Sequence, residues 1–207
     1  TIVETQGDTG SDGLQLGAGV IAGELDIYID GDKLVFAHAN GRDKVSIANW
    51  FDSLADSAHR LDTVRFADGA LLNLDALQLG TDGADTLIGT SQSDILMGGA
   101  GDDILISDGN DWLNGGTGAD SMTGSIGDDM YVVDNTGDVV VELADEGTDT
   151  VYGRVSATLT DNVENLVLVG GGNTSGTGNA LDNTITGNGG SNELYGGDGN
   201  DSLIGNG

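Results

Sequence analysis

Cysteine and proline are both missing from the 207 residues. Without cysteine no disulfide can hold the fold together and no thiolate can take a soft metal. Without proline the chain lacks a common mark of extended linkers and disordered tails. Aromatic residues make up only 4%, too few for a thick aromatic core. Bases are scarce too: six Lys and Arg stand against 35 Asp and Glu, a formal net charge of −29 at pH 7. So anionic a surface repels nucleic acid and anionic lipid head groups, and its self-repulsion opposes compaction. Neither nucleic-acid binding nor membrane insertion is expected, and no apolar run reaches membrane-spanning length. The two histidines, His38 and His59, have no third ligand at a metal-site spacing and read as strand or surface residues. No G-x-S-x-G elbow, H-E-x-x-H helix or phosphate loop occurs. No catalytic residue is assigned, and the chain reads as non-enzymatic.

Glycine, by contrast, is abundant at 37 residues, and Leu, Ile and Val recur among the glycines at regular intervals. That regularity argues for order and against a solvated acidic linker. From Ala76 onward there are 22 acids and a single base, Arg154. Such an imbalance calls for a cation as part of the native structure. Carboxylates and backbone carbonyls are hard oxygen ligands, which points to Ca²⁺.

The acids fall within repeats. Gly98 to Ile106 reads GGAGDDILI, and the form returns at Gly115 to Thr123 (GGTGADSMT) and Gly196 to Ile204 (GGDGNDSLI). Looser copies occupy Gly80 to Ile88, Gly89 to Met97 and Gly124 to Val132, and an eight-residue copy spans Ser107 to Asn114. An isolated copy lies at Gly7 to Gln15, and worn copies with Asn183 and Asn192 in place of Asp precede the last complete one. Each unit combines a six-residue turn with a three-residue strand. Glycine lets the turn curl its carbonyls inward, and period-two alternation turns one apolar residue per strand into the interior. Leu87, Leu96, Leu105, Leu113, Met122 and Tyr131 are the expected core ladder. Two units complete one coil, so acids about eighteen residues apart stack on one edge. Asp85, Asp103 and Asp120 are expected on one edge, and Asp94, Asp111 and Asp129 on the other. Trp112 precedes Leu113 and is expected to point out of the roll, where it could stack on a sugar; Trp50 is the second such candidate.

The pattern G-G-x-G-x-D-x-U-x, with U a large apolar residue, resembles the calcium-binding nonapeptide of repeats-in-toxin (haemolysin-type calcium-binding) proteins. The resemblance implies an all-β fold, a parallel β-roll or β-helix solenoid with calcium-binding nonapeptide turns, with several Ca²⁺ ions as cofactors. It also implies a ligand set. One ion would use Thr81, Gly83, Asp85, Gly98, Ala100 and Asp103, and the next on that edge Gly99, Gly101, Asp103, Gly115, Thr117 and Asp120. Asp94, Asp111, Asp129 and Asp201 are the carboxylates expected elsewhere. Sites at Asn183 and Asn192 should bind more weakly, because the amide carries no charge.

Outside the repeats, Leu25 to Ile29 and Leu34 to Phe36 read as a hairpin across Asp30 to Lys33, and Val64 to Phe66 as another with Leu71-Leu72. Asp26 to Ala37 is superficially similar to an EF-hand loop, but Tyr28 and Ala37 stand where oxygen ligands are needed. The stretch ending in Trp50-Phe51, with Phe66-Ala67-Asp68-Gly69, resembles the domain that accompanies haemolysin-type repeats. Four regions are expected: 1–75, this related domain with antiparallel hairpins and a roll rung at 7–15; 76–132, the calcium-binding roll; 133–175, larger metal-poor rungs; 176–207, a second, degenerate roll block. Thr1-Ile2-Val3-Glu4 is no signal peptide, and Gly205-Asn206-Gly207 reads as the start of a further repeat. Both ends are expected to be cuts within a longer polypeptide, whose remainder would be the roll's partner.

By resemblance, then, the chain is expected to be a secreted bacterial module, at the cell surface or outside it, exported through a type I system and folded by extracellular calcium as a scaffold. The alternatives are an adhesin module binding polysaccharide or a cell surface, and a non-catalytic fragment of a secreted hydrolase or epimerase.

Overall fold

The computed structural model describes residues 2–3, 13–16, 20–31, 33–40, 42–47, 63–66 and 71–206. Its contacts divide the chain into two units, Thr1–Leu77 and Gln78–Gly207. Among the described residues the only helical segments are single 3-10 turns, at Ala22–Glu24 and Leu74–Ala76.

In the first unit, β1 (Ile2–Val3), β2 (Gly13–Gln15), β6 (Thr63–Arg65) and β7 (Leu71–Asn73) form one sheet in the order β1-β2-β6-β7. Leu14, the U residue of the isolated nonamer, is fully buried and pairs in parallel with Val64, as a roll rung would. The turn before it lies outside the described residues. A second sheet is an antiparallel meander of β3 (Leu25–Asp30), β4 (Lys33–His38) and β5 (Lys44–Ile47). Asp30 pairs with Lys33, which leaves a two-residue loop begun by Gly31 at φ +67°. A positive φ at that position matches the primed hairpin turns whose twist suits paired strands. Leu25, Ile27, Leu34, Val35 and Phe36 are its buried residues. The segment with EF-hand likeness is thus a hairpin. His38 ends a strand and lies 3.3 Å from Glu24. Trp50, Phe51, His59 and the turn at 67–70 are outside the described residues.

The second unit is a parallel β-solenoid. On one side eight strands stack in the order β22-β20-β18-β16-β14-β12-β10-β8, giving about seven turns. These are β8 (Leu77–Leu79), β10 (Ile95–Ala100), β12 (Trp112–Thr117), β14 (Met130–Val133), β16 (Thr150–Gly153), β18 (Asn165–Leu168), β20 (Thr184–Thr186) and β22 (Ser202–Ile204). The other side is two sheets. One holds β9 (Thr86–Ile88), β11 (Ile104–Ile106), β13 (Ser121–Thr123) and β15 (Val139–Val141); the other holds β17 (Ala157–Thr158), β19 (Ser175–Thr177) and β21 (Glu193–Tyr195). The one-residue deletion in Ser107 to Asn114 is absorbed without loss of register, Leu96 pairing with Leu113 and Leu105 with Met122.

The interior is the expected ladder, prolonged. Leu96, Leu105, Leu113, Met122 and Tyr131 are fully buried, Leu87 packs against them, and Val140, Val151, Leu166 and Ile185 carry the column onward. The two outer faces differ. On the β9–β15 side the outward residues Ile88, Ile104, Ile106, Val139 and Val141 are exposed. On the other side Ile95, Met97, Trp112 and Val132 are buried on the face opposite the ladder. This corrects the expectation for Trp112. It does lie on the outward face, between Ile95 and Met130, but it is 1% exposed. No sugar can stack on it there.

The alternation yields a test. Leu105→Ala removes a fully enclosed side chain and should cost about 2–5 kcal/mol. Its strand neighbour Ile104 is 45% exposed, so Ile104→Ala should cost well under half as much. Denaturant unfolding of the two variants in the same buffer checks the ratio.

Candidate metal centre

The turns depend on glycine at particular places. In the turn from Gly98 to Asp103, Gly99 and Gly101 take φ of +106° and +108°, a region that side chains rarely adopt. Gly98 is needed for a different reason. A methyl group there would overlap the Asp103 carboxylate and the Gly115 carbonyl. Gly115 and Gly124 make the same room for Asp120 and Asp129. The first glycine of each repeat therefore admits the aspartate at the sixth position into the cup of its own turn.

The aspartates form two rows joined through the backbone. On one edge the N–H of Asp85 donates to Oδ1 of Asp103 at 2.7 Å, that of Asp103 to Asp120 at 2.9 Å, and that of Asp120 to Asp138 at 3.1 Å. On the other, Asp94 donates to Asp111 at 2.7 Å, Asp111 to Asp129 at 2.7 Å, Asp129 to Asp149 at 2.9 Å, and Asp149 to Oε2 of Glu164 at 2.8 Å. Sequence spacing grouped the first three acids of each row; Asp138, Asp149 and Glu164 were missed. Their signal was the second half of the repeat alone. Asp138-Val139-Val140, Asp149-Thr150-Val151 and Glu164-Asn165-Leu166 keep acid, strand residue and inward apolar residue, without the glycines.

Each carboxylate in these rows after Asp85 and Asp94 spends one oxygen on the preceding acid's N–H. The other oxygen, Oδ2 of Asp103, Asp111, Asp120, Asp129 and Asp149, is buried and has no hydrogen-bond partner. All five residues are about 1% exposed. A buried ionised oxygen without a donor costs several kcal/mol, so it calls for a proton or a cation. Among the described residues from Ala76 onward the one base, Arg154, is engaged elsewhere, 3.8 Å from Asp134. Burial accordingly pushes the carboxyls of Asp111, Asp120 and Asp149 up to about 6 and that of Asp129 to about 8, with neighbouring acids adding to the shift. Asp103 and Asp138 are raised for the same first reason.

The rows are closed off at both ends. In the first coil the N–H and Oγ1 of Thr81 both donate to Oδ2 of Asp85, and Thr90 does the same for Asp94. These bonds hold the Asp85 carboxyl below its usual range. The Thr81 carbonyl accepts from the N–H of Ala100, and Gly83 donates to Thr81 Oγ1. Farther along, Gly99 and Ala100 pair with Gly116 and Thr117, and Gly101 donates to the Thr117 carbonyl. In the C-terminal coils asparagine replaces the charge with donors. Nδ2 of Asn183 bonds the carbonyls of Val163 and Glu164 while Oδ1 accepts from Asn179, and Nδ2 of Asn192 bonds the Thr174 carbonyl. Asp201 Oδ1 accepts from Asn183.

An edge of stacked carboxylates and tightly curled glycine turns, with half of each buried carboxylate unfilled, suits a hard divalent ion that takes six to eight oxygens. The family comparisons agree. The model for the RTX calcium-binding nonapeptide repeat (4 copies) matches residues 79–108, 106–140 and 177–207. These coils are RTX calcium-binding repeats. The model for the haemolysin-type calcium binding protein related domain matches residues 34–76, which hold the β4–β5 hairpin and β6–β7. A comparison with curated proteins found no match. The matched coils thus form a calcium-binding repeat module, and the buried aspartates Asp103, Asp111, Asp120 and Asp129 all fall within them.

The raised carboxyls fix the sign of a pH effect. In the unfolded chain these groups ionise near 3.8, whereas in the metal-free fold Asp111, Asp120 and Asp149 ionise near 6 and Asp129 near 8. Metal-free folding therefore takes up protons. Its stabilising contribution is complete below about pH 4 and is lost as pH rises through about 6 and then about 8. In chelator, the β signal in circular dichroism should be larger near pH 5 than near pH 8, and saturating calcium should abolish the difference. A flat profile in chelator would count against carboxylates buried without a counter-ion.

Proposed function

We propose that this chain is a calcium-folded module of a secreted bacterial protein, acting as a structural and secretion scaffold and carrying out no chemistry of its own. The observation behind it is the double row of buried aspartate oxygens with no hydrogen-bond donor from the protein. One apolar residue per repeat is little to set against the entropy of ordering a nine-residue, glycine-rich unit. The stacked charges repel as well. Calcium binding supplies what is missing, so metal binding and folding are a single reaction.

The best-formed site on one edge uses Gly99, Gly101, Asp103, Gly115, Thr117 and Asp120. The neighbouring set of Thr81, Gly83, Asp85, Gly98, Ala100 and Asp103 starts at a disadvantage, because Thr81 already engages Asp85. Asp94, Asp111 and Asp129 serve the opposite edge, and Asp201 the C-terminal block. Where calcium is scarce, as in a cytosol, such a chain stays extended and suits export through a type I channel. Outside the cell, millimolar calcium folds it and orders the neighbouring parts of its parent polypeptide. The adhesin reading loses its better candidate residue, since Trp112 is buried.

The test is a calcium titration followed by circular dichroism and calorimetry. Without calcium at neutral pH the repeat region should be largely unfolded, and millimolar calcium should fold it with uptake of several ions. A spectrum indifferent to chelator would reject the proposal, and hydrolytic activity in this chain alone would reject its non-catalytic part.

A further inference from the structure

Beyond the strand β15 the glycine pattern ends, and the turn that follows, from Glu142 to Asp149, is longer than a repeat turn. Glu142 stands where the preceding coil has Gly124, directly after its strand. Its carboxylate enters the core side of the edge and meets Asp129 and Asp149, the ligand atoms of the three lying within 4.8 Å of one another. Asp129 and Asp149 are 1% exposed and Glu142 6%.

Every carboxylate of this group has one oxygen engaged. Oδ1 of Asp129 accepts from the N–H of Asp111, Oδ1 of Asp149 accepts from the N–H of Asp129, and Oε1 of Glu142 accepts from the hydroxyl of Tyr131. The second oxygen of each, Oδ2, Oδ2 and Oε2, is buried with no hydrogen-bond partner. Each of the three thus has a buried oxygen without a protein partner, and one carboxylate oxygen of each lies within 4.8 Å of the other two. Oxygens bound to a common Ca²⁺ at 2.3–2.6 Å lie at most about 5 Å apart, which the 4.8 Å limit satisfies. Tyr131 fits the same picture. It is the one aromatic in the stretch of inward ladder running from Leu87 to Ile185, and its hydroxyl fixes the glutamate while occupying space beside Gly124 that a side chain there would need.

We propose that Asp129, Glu142 and Asp149 form a calcium site of three carboxylates, sharing Asp129 with the edge row, with Tyr131 as its positioning residue. The site lies in the rung that sequence reading took to be metal-poor, and Glu142 and Asp149 are beyond the residues matched by the repeat model. It differs in kind from a nonapeptide site, because its ligands are side chains and not turn carbonyls. The proposal rests on the reading of the chain as a calcium-binding roll and extends it past the glycine repeats. Its role is to carry metal-dependent order across the junction into the coils of β16 and β18.

The experiment is calorimetric counting of calcium on the full chain and on Glu142→Gln, with circular dichroism in saturating calcium as the folding control. Gln keeps the acceptor for Tyr131 and removes only the charge. Glu142→Gln should bind one ion fewer than the unsubstituted protein. Asp103→Asn, on the opposite edge, should lose binding there and keep the Glu142 ion. An unchanged ion count in folded Glu142→Gln overturns this site and leaves the repeat reading standing. Loss of binding in Glu142→Gln with none in Asp103→Asn supports this site and counts against the repeats. Should Glu142→Gln fail to fold, terbium decides. Tyrosine-excited terbium emission from the loaded chain should fall by half or more in Tyr131→Phe, and undiminished emission overturns the site.

Discussion

The N–H of one edge aspartate donates to the carboxylate of the aspartate one coil later, and that bond repeats up both sides of the roll. It sets the spacing of the coils and draws each carboxylate inward, where the first glycine of its turn has left room. Only one of the two oxygens is satisfied this way. The other is carried into a dry edge with no donor, so each coil added to the stack deepens a debt of charge that the protein cannot settle from its own residues. The scarcity of bases and the surplus of buried acid are one design seen from two sides.

The substitutions along the rows follow from that constraint. Where threonine stands two residues into the turn, at Thr81 and Thr90, its hydroxyl and N–H fill the second oxygen, and the row begins without needing an ion. Where asparagine replaces aspartate, its amide donates to carbonyls of the neighbouring coil and the charge is gone. Both devices satisfy the polar atoms of a turn with protein donors in place of an ion. Between them lie the coils whose buried aspartates keep an oxygen without a protein partner. At Asn183 and Asn192 the amide oxygen sits beside the first glycine of the turn, where the aspartates place Oδ2, and the amide nitrogen bonds carbonyls of the preceding coil.

Much of the fold was legible because the repeat fixes period, register and inward residue together. The ladder from Leu87 to Tyr131 could be read off, and so could the division of six aspartates between two edges, even across the deletion in Ser107 to Asn114. The hairpin at Asp30 to Lys33 was legible from its turn residues. Trp112 was not. Alternation gives the face on which a side chain lies, but whether that face is wet depends on residues distant in sequence. The acids Asp138, Glu142, Asp149 and Glu164 were missed for a related reason. With the glycines gone, an acid two residues before an apolar one is common in a chain with 35 acids. Only the stacking of coils distinguishes those in the row from those in solvent.

At the proposed site, the change from Gly124 to Glu142 at equivalent places in successive coils replaces turn carbonyls with a side-chain oxygen. In the proposed scheme a glycine turn offers carbonyls, at a cost in conformational freedom lost on folding. A glutamate reaching in from a longer turn brings its own oxygen, and the turn no longer needs residues at positive φ in the same pattern. Asp145 at φ +67° is its remaining left-handed residue, in place of paired glycines. The inward position opposite must then hold the longer side chain steady, which a hydroxyl at Tyr131 does and a leucine would not. Coil length, glycine content and the identity of the ladder residue therefore change together at this junction, because all three answer to where the buried charge is placed.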